Sequence, residues 1–419
     1  MHLPRFTLGT GDRFGHEGQA QLEAFVRLKQ AGVDAAPVWN KSNREHQIIG
    51  TRPEAVRAEA DAAVQALNWA GPYFVDADHI SLKNVDAFIA ASDFFTLDVA
   101  DFSGKPATAD AIRDFVARHR GFTGRLRIPG VPEEIDLPIP ALEAIARKYL
   151  LAVQEAGKIY RHVAAAKGEG AFAVEVSMDE TDAPQTPVEL FFILAAIAEE
   201  KIPAQTVAPK FTGRFNKGVD YVGDVRQFER EFNADLAIIA FAVREFGLPA
   251  NLKLSVHSGS DKFSLYAPIR RALNAHGAGL HLKTAGTTWL EEMAGLALSG
   301  GEALQLVRRV YAAAWNRYAE MCQPYAAVIA IDRAKLPAPA VVDGWTGAQF
   351  AAALRHDPRN PRFNSHLRQL VHVGYKAAAE LGPAFLQALE AHRGRIAELV
   401  TENLFEKHMK PLFLAGCRT

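Results

Sequence analysis

The residues able to do chemistry gather where apolar runs end. Leu254-Ser255-Val256-His257-Ser258-Gly259-Ser260-Asp261-Lys262 reads as a buried strand followed by imidazole, hydroxyls, carboxylate and amine. Gly279-Leu280-His281-Leu282-Lys283-Thr284-Ala285-Gly286 repeats the pattern, with His281 and Lys283 on one face of the strand. In Val174-Glu175-Val176-Ser177, alternation puts Glu175 and Ser177 on one face and the valines on the other. A carboxylate in a buried run is costly unless paired or bound to metal, so Glu175 is a candidate ligand or general base. Asp179 and Glu180, just beyond, read as cap or loop residues. Phe74-Val75-Asp76-Ala77-Asp78-His79 ends in carboxylates and an imidazole, a donor set that suits a divalent transition metal. Asp78 also suits a helix N-cap, whereas His79 is not explained by capping. His79, Glu175, His257 and His281 together make a candidate site for a divalent ion such as zinc, manganese or nickel.

Other strand ends carry groups that hold or activate a substrate. Lys210, closing Val207-Ala208-Pro209-Lys210, could bind a carboxylate, polarise a carbonyl or form a Schiff base; a snorkelling lysine is the alternative. Lys283 shares the catalytic options, and Asp261 is a further catalytic candidate. Trp39-Asn40-Lys41-Ser42-Asn43-Arg44-Glu45-His46 is a dense polar loop in which Lys41 and Arg44 suit an anion and Asn40 and Ser42 suit hydroxyls. Gly9-Thr10-Gly11-Asp12-Arg13-Phe14-Gly15-His16 tempts a dinucleotide reading, but Asp12 and Arg13 put side-chain charge where bare N–H groups are needed. A substrate-binding loop through Asp12 and Arg13 is preferred; a structural Asp12–Arg13 pair is the bland alternative. Ser258 and Lys262 are further substrate candidates. His372 and Lys376, four apart in Leu370-Val371-His372-Val373-Gly374-Tyr375-Lys376, either reach the site from a C-terminal helix or leave His372 as a core hydrogen bonder.

These groups need a scaffold that brings strand ends together. Eight β-like runs precede residue 290: Phe6–Gly9, Ala36–Trp39, Tyr73–Asp76, Phe95–Val99, Ala171–Ser177, Thr206–Lys210, Leu252–His257 and Leu280–Lys283. Helical patterns separate most of them, among them Gln19–Gln30, Pro53–Leu67, Pro187–Glu200, Val225–Phe246 and Leu265–His276. Alternation of this kind implies parallel pairing and a (β/α)8 TIM-like barrel spanning 1–298, with the site at its C-terminal face. A segment at about 101–168, with a helix from about Ala141 to Lys167, reads as an insertion lying over the barrel. Residues 299–419 read as a helical extension packed on it, with helices Gly301–Met321, Gly347–Arg355, Phe363–Leu381 and Pro383–Phe405.

Composition narrows the partners. The chain has 419 residues, 49% hydrophobic and 23% charged, with formal net charge -1, which points to neither nucleic acid nor an anionic membrane surface. The longest apolar runs, Leu190 to Ile197 and Leu236 to Val243, are about half a membrane span. Two cysteines, Cys322 and Cys417, provide no disulfide framework, and the N-terminus lacks a signal-peptide apolar region, so a cytoplasmic protein is expected, with a homo-oligomer open.

Three of these motifs resemble the tagaturonate epimerase family: Gly9-Thr10-Gly11-Asp12-Arg13-Phe14-Gly15-His16, the run from Lys253 to Lys262 containing His-Ser-Gly-Ser-Asp-Lys, and Leu370 to Ala378. The resemblance implies a metal-dependent epimerase interconverting tagaturonate and fructuronate, with neutral ketohexoses as the neighbouring substrate class. It does not fix the metal ligands. The carbon to be inverted lies β to the ketone and its C–H is not acidic. Retro-aldol cleavage, rotation and re-addition then requires a Lewis acid and a base for the hydroxyl proton. Transient oxidation by NAD is disfavoured by the poor dinucleotide signature. A Schiff-base aldolase through Lys210 or Lys283 and a non-catalytic sugar-acid-binding protein are the competing readings; the density of ionisable groups at strand ends argues against the latter.

Overall fold

The protein is described from a computed structural model covering residues 1–131, 134–179, 181–284 and 287–414. Glu180, Ala285, Gly286 and Cys417 lie outside the described residues. Eight strands form a closed barrel: β1 (Phe6–Gly11), β2 (Ala36–Ser42), β3 (Phe74–Ile80), β4 (Phe94–Asp98), β5 (Ala173–Ser177), β6 (Thr206–Ala208), β7 (Lys253–His257) and β8 (Leu280–Lys283). Chain order is spatial order, every neighbour is parallel, and β8 pairs back onto β1 through Phe6–Leu280, Thr7–His281, Leu8–Leu282 and Gly9–Lys283. All eight expected runs are strands.

Alternation sorts the side chains. Leu8, Phe95, Leu97, Val174, Val176, Leu254, Val256 and Leu282 face the helices in one continuous core. At the N-terminal end of the lumen a separate apolar plug, Leu3, Ala36, Val38, Phe74, Phe94 and Ala173, closes the barrel. Above the plug the buried inward positions turn polar: Thr7, Asp76, Thr96, Glu175, Ser255 and His281, then Asn40, Asp78, Ser177 and Lys283. Burying so many polar groups in an already closed lumen makes sense only at a functional face.

The crossover helices are Gly18–Gln30, Pro53–Ala66, Ile139–Lys167, Pro187–Glu199, Val225–Phe246 and Phe263–His276, and Thr287–Ser299 follows β8. Local chemistry sets their limits. Thr186 and Glu189 form a capping box at one start; Asp224 accepts from the N–H groups of Arg226 and Gln227 at another, and that helix stops at Gly247 with φ 67°. Between β3 and β4 the described chain has only a short 3-10 turn, Val85–Ala87.

The segment expected to lie over the barrel divides in two. Ile139–Lys167 packs between helices Ala109–His119 and Pro187–Glu199 and touches β4, so it takes the ring position of a crossover helix. Its buried stripe, from Leu142 through Leu150, Val153 and Ile159 to Val163, explains why. The added material is Ala109–His119 and an antiparallel hairpin, Gly124–Leu126 with Ile135–Leu137.

The C-terminal residues are helical and pack on the barrel: Gly347–Leu354 and Arg393–Glu402 lie against Thr287–Ser299, and Arg393–Glu402 also against Gly18–Gln30. The expected helix Phe363–Leu381 is two, Ser365–Val373 and Tyr375–Ala379. They part at Gly374, where a Cβ would lie 3.0 Å from Ala314 and 2.9 Å from the Leu370 carbonyl. Among the described residues no helix is long and apolar enough to cross a membrane.

Candidate active site

A register break between Ala77 and Ile80 bulges the end of β3, and His79 adopts φ 52° there. Left-handed backbone at a non-glycine residue is unfavourable, and bulges re-aim side chains at barrel rims. The bulge brings His79 to His257 at the end of β7, their ring centroids 5.1 Å apart, and both to Asp179 just after β5. Asp179 Oδ2 lies 3.0 Å from His257 Nδ1 and Oδ1 lies 3.5 Å from His79 Nε2. Both nitrogens face Asp179 as ion-pair partners without a well-directed hydrogen bond. Among the described residues these three are the group whose donor atoms converge within 4.8 Å, as metal ligands do.

The far nitrogen of each ring is held by a carboxylate. His79 Nδ1 pairs with Asp78 Oδ1 at 2.8 Å, and His257 Nε2 with Glu175 Oε1 at 2.7 Å. Carboxylate-backed imidazoles with the inner nitrogen unmatched are the usual arrangement of histidines around a metal. Burial alone would lower His257, yet Asp179 and Glu175 raise it to about 9; the negative charge that favours its proton would equally favour a cation.

Beside this group Lys283 Nζ lies 2.8 Å from both Asp76 Oδ2 and Asp78 Oδ1 and 3.4 Å from Glu175 Oε1, and it donates to Thr96 at 2.6 Å. Burial works against its charge, but the three carboxylates hold it well above the ordinary lysine range. An amine so firmly protonated is a hydrogen-bond donor and no nucleophile, which weakens the Schiff-base reading. Glu175, pushed up by burial, is brought well below the usual carboxylate range by Lys283 and His257, and its Oε2 has no hydrogen-bond partner. Asp76, with Thr96 and Lys283 on it, is raised by burial to about 6.

The other expected site residues scatter. Glu175 backs His257, and His281 lies one layer deeper, its Nδ1 2.8 Å from Thr7 and its ring 5.3 Å from Phe94 of the plug. Asp179, read from sequence as cap or loop, is the residue that joins the two histidines. The signal was its place two residues beyond the inward Ser177, to whose hydroxyl it is bonded at 2.5 Å. Asp78 caps no helix, because β3 runs on through it. Lys210 donates to the Thr181 carbonyl and tie its loop to that after β5. Asn40 points inward, with neither end of its amide matched, and fits a hydroxyl-bearing ligand. Lys41 faces the other way, its charge acting on Asp12 and Glu59. Ser42 opens helix Asn43–Ile49 through a capping box with Glu45, so Ser42→Ala is expected to cost about 1 kcal/mol of stability. Urea denaturation checks this; an unchanged midpoint would return Ser42 to the substrate candidates.

The first loop is a scaffold as well. Asp12 accepts from the backbone N–H groups of Phe14, Gly15, His16 and Glu17, and Arg13 pairs with Glu45 rather than Asp12. Beyond His257, Ser258 Oγ donates to the Lys283 carbonyl, and Lys262 Nζ donates to the carbonyls of Asn216 and Val219. Asp261 is fully buried against Arg368 at 2.7 Å, His356 at 3.1 Å and His408 at 3.2 Å. His356 also lines a cavity of 750 Å³ with Phe263, Arg355 and Glu402, at the junction with the C-terminal helices. Asp261 therefore joins barrel to extension. Lys376 bonds Glu320 at 2.8 Å, away from His372, because the helix ends between them.

A closed parallel barrel with carboxylate-backed imidazoles and a buried lysine at the carboxyl ends of its strands is a (β/α)8-barrel enzyme. The tagaturonate epimerase family matches residues 1–412, and the chain belongs to that family of carbohydrate epimerases. It is 28% identical over 416 residues to the tagaturonate/fructuronate epimerase of Thermotoga maritima, covering 96% of this chain and 79% of that protein. Its fold matches the glycerol-complexed crystal structure of fructuronate-tagaturonate epimerase from Cohnella laeviribosi with a TM-score of 0.81 at 24% identity, over 98% of this chain and 82% of that one. The native structure of the same enzyme gives 0.78 at 23% identity, over the same 98% and 82%.

Proposed function

We propose that this chain interconverts tagaturonate and fructuronate by retro-aldol and aldol steps, at a site where His79, Asp179 and His257 hold a divalent ion. The observation that carries the reading is the convergence of two imidazoles, each backed by a carboxylate, on Asp179 at the mouth of a barrel that belongs to this family. A divalent ion held there supplies Lewis acidity toward substrate oxygens.

The protein's own groups do the rest. Asp78 and Glu175 fix the orientation of the two rings. Glu175 is buried in the lumen beside this centre with its Oε2 unmatched, so it is the assigned acceptor for the proton of the hydroxyl on the inverting carbon. As that proton leaves, the bond from this carbon to its neighbour breaks, giving an aldehyde and an enediolate. Rotation presents the other aldehyde face; the bond re-forms and the proton returns, with no net redox change. Lys283, held as an ammonium by Asp76, Asp78 and Glu175, places a positive charge beside the developing negative charge. Asn40 is free to orient a hydroxyl. A cytoplasmic location is part of the same reading, supported by the metabolic class of the family.

NMR of the purified protein with tagaturonate tests this. Fructuronate is expected to form with bound metal, to cease forming after EDTA, and to return on adding Mn2+, Zn2+ or Ni2+. Turnover that survives metal removal sinks the metal part of the proposal; no turnover of either uronate sinks the function.

A further inference from the structure

A second polar group, apart from the imidazole–carboxylate centre, is unmatched at the same end of the barrel. Arg13, 5% exposed in the loop after β1, lies over the Tyr375 ring at 4.4 Å with its Nε 3.2 Å from Glu45. Its Nη2 donates to His372 Nε2 at 3.4 Å. Arginine can only donate, so His372 Nε2 is the acceptor and the ring proton sits on Nδ1. That Nδ1–H is buried without a partner, and so is Arg13 Nη1. Two elements far apart in sequence thus meet and leave Arg13 Nη1 as an unmatched buried cationic donor, which native proteins rarely tolerate without a ligand or water.

The surroundings are cationic. His372 is pushed well down by burial and by Arg13, Lys217, Arg368 and Lys262, which keeps it a neutral donor. Two of those cations are committed elsewhere, Arg368 to Asp261 and Lys262 to backbone carbonyls. Glu45 also accepts from the Ser42 N–H and hydroxyl, so it is shared with its helix cap. The group joins the first site through the chain: a Cβ on Gly218 would lie 3.5 Å from His372, and the Gly218 N–H donates at 2.9 Å to Ser260, three residues beyond His257.

We propose that Arg13, its guanidinium positioned by His372 and Glu45, binds the carboxylate of the substrate and sets the preference for a sugar acid over a neutral ketohexose. An anionic, acceptor-only group matches the unmatched Nη1 of Arg13 and the positive field, whereas the hydroxymethyl end of a neutral sugar carries no charge to match it. The inference rests on the uronate reading above and says which residues enforce it. Lys41 and Arg44, the anion-binding residues expected from sequence, do not take this role. Lys41 faces out of the lumen, and Arg44 is exposed over Tyr325 at 5.6 Å.

The test compares kcat/KM of the metal-loaded enzyme for tagaturonate and for tagatose. Arg13→Gln is expected to lower the uronate value about 10- to 100-fold, mainly through KM, since a hydrogen bond to a charged group is lost. The tagatose value should change far less, so the ratio collapses, and Arg13→Lys should restore part of it. Equal losses on both substrates would make Arg13 a merely structural residue and overturn the proposal, as would an unchanged uronate KM. Should Arg13→Gln fail to fold, His372→Gln gives the same readout. Wild-type protein inactive on both uronates would instead overturn the function, a result told apart because it precedes any substitution.

Discussion

His257→Ala protein is expected to lose its bound divalent ion and its epimerase turnover together. His257 contributes one of three converging donors, and its ring links Glu175 to Asp179, through 2.7 Å on one nitrogen and 3.0 Å on the other. Removing it leaves His79 and Asp179, too few ligands for a tight site. Because the ion's electrostatic contribution is worth several kcal/mol, the loss in kcat should be on the order of 1000-fold or more. Glu175→Gln should keep most of the ion yet lose turnover by about 100- to 10,000-fold, because it removes the acceptor for the hydroxyl proton as well as the partner behind His257. Metal content by mass spectrometry, read beside turnover, separates the two. His257→Ala protein that keeps one equivalent of metal would remove His257 from the ligand set.

Lys283→Met should show the largest change in stability. Its ammonium is the shared counter-charge of Asp76, Asp78 and Glu175, all buried. Removing one partner of a buried ionic group leaves uncompensated charge and costs about 3–5 kcal/mol. The pH dependence should change in sign over part of the range. In wild type, Asp78 and Glu175 lie below the usual carboxylate range, so what they contribute is present above an unfolded pKa of about 4 and is lost as pH falls through their folded values. Asp76, raised to about 6, opposes this with a shallow loss between about 4 and 6. Without Lys283 all three carboxyls should titrate high, the folded protein then binds more protons than the unfolded chain, and stability falls as pH rises above about 4. Denaturant midpoints at pH 5 and pH 8, in EDTA, decide it. A variant no less stable than wild type at pH 8 would mean that the carboxylates are neutralised by something other than Lys283.

The same residues show where sequence reading stops. The strands were legible because each is a short apolar run ending in polar groups, and a barrel buries both faces of such runs. His79 and His257 were legible as polar residues at strand ends. Asp179 was not, since a carboxylate beyond a strand looks the same whether it caps a turn or faces the lumen. In the most distinctive motif, Ser258 to Lys262, the polar side chains are spent on a carbonyl, a backbone N–H or a buried ion pair.

What the sequence determined by itself is the barrel, its family and the strand ends that carry chemistry, because alternation and strand–helix order are local properties of the chain. The tertiary structure alone decided the partners. One bulge at His79 brought it to Asp179 and His257, barrel depth separated His281 from His257, and docking of the C-terminal helices on the barrel brought Arg13 to His372 across 359 positions. Those outcomes depend on register, layer and backbone conformation, which arise only when all eight strands close on one another.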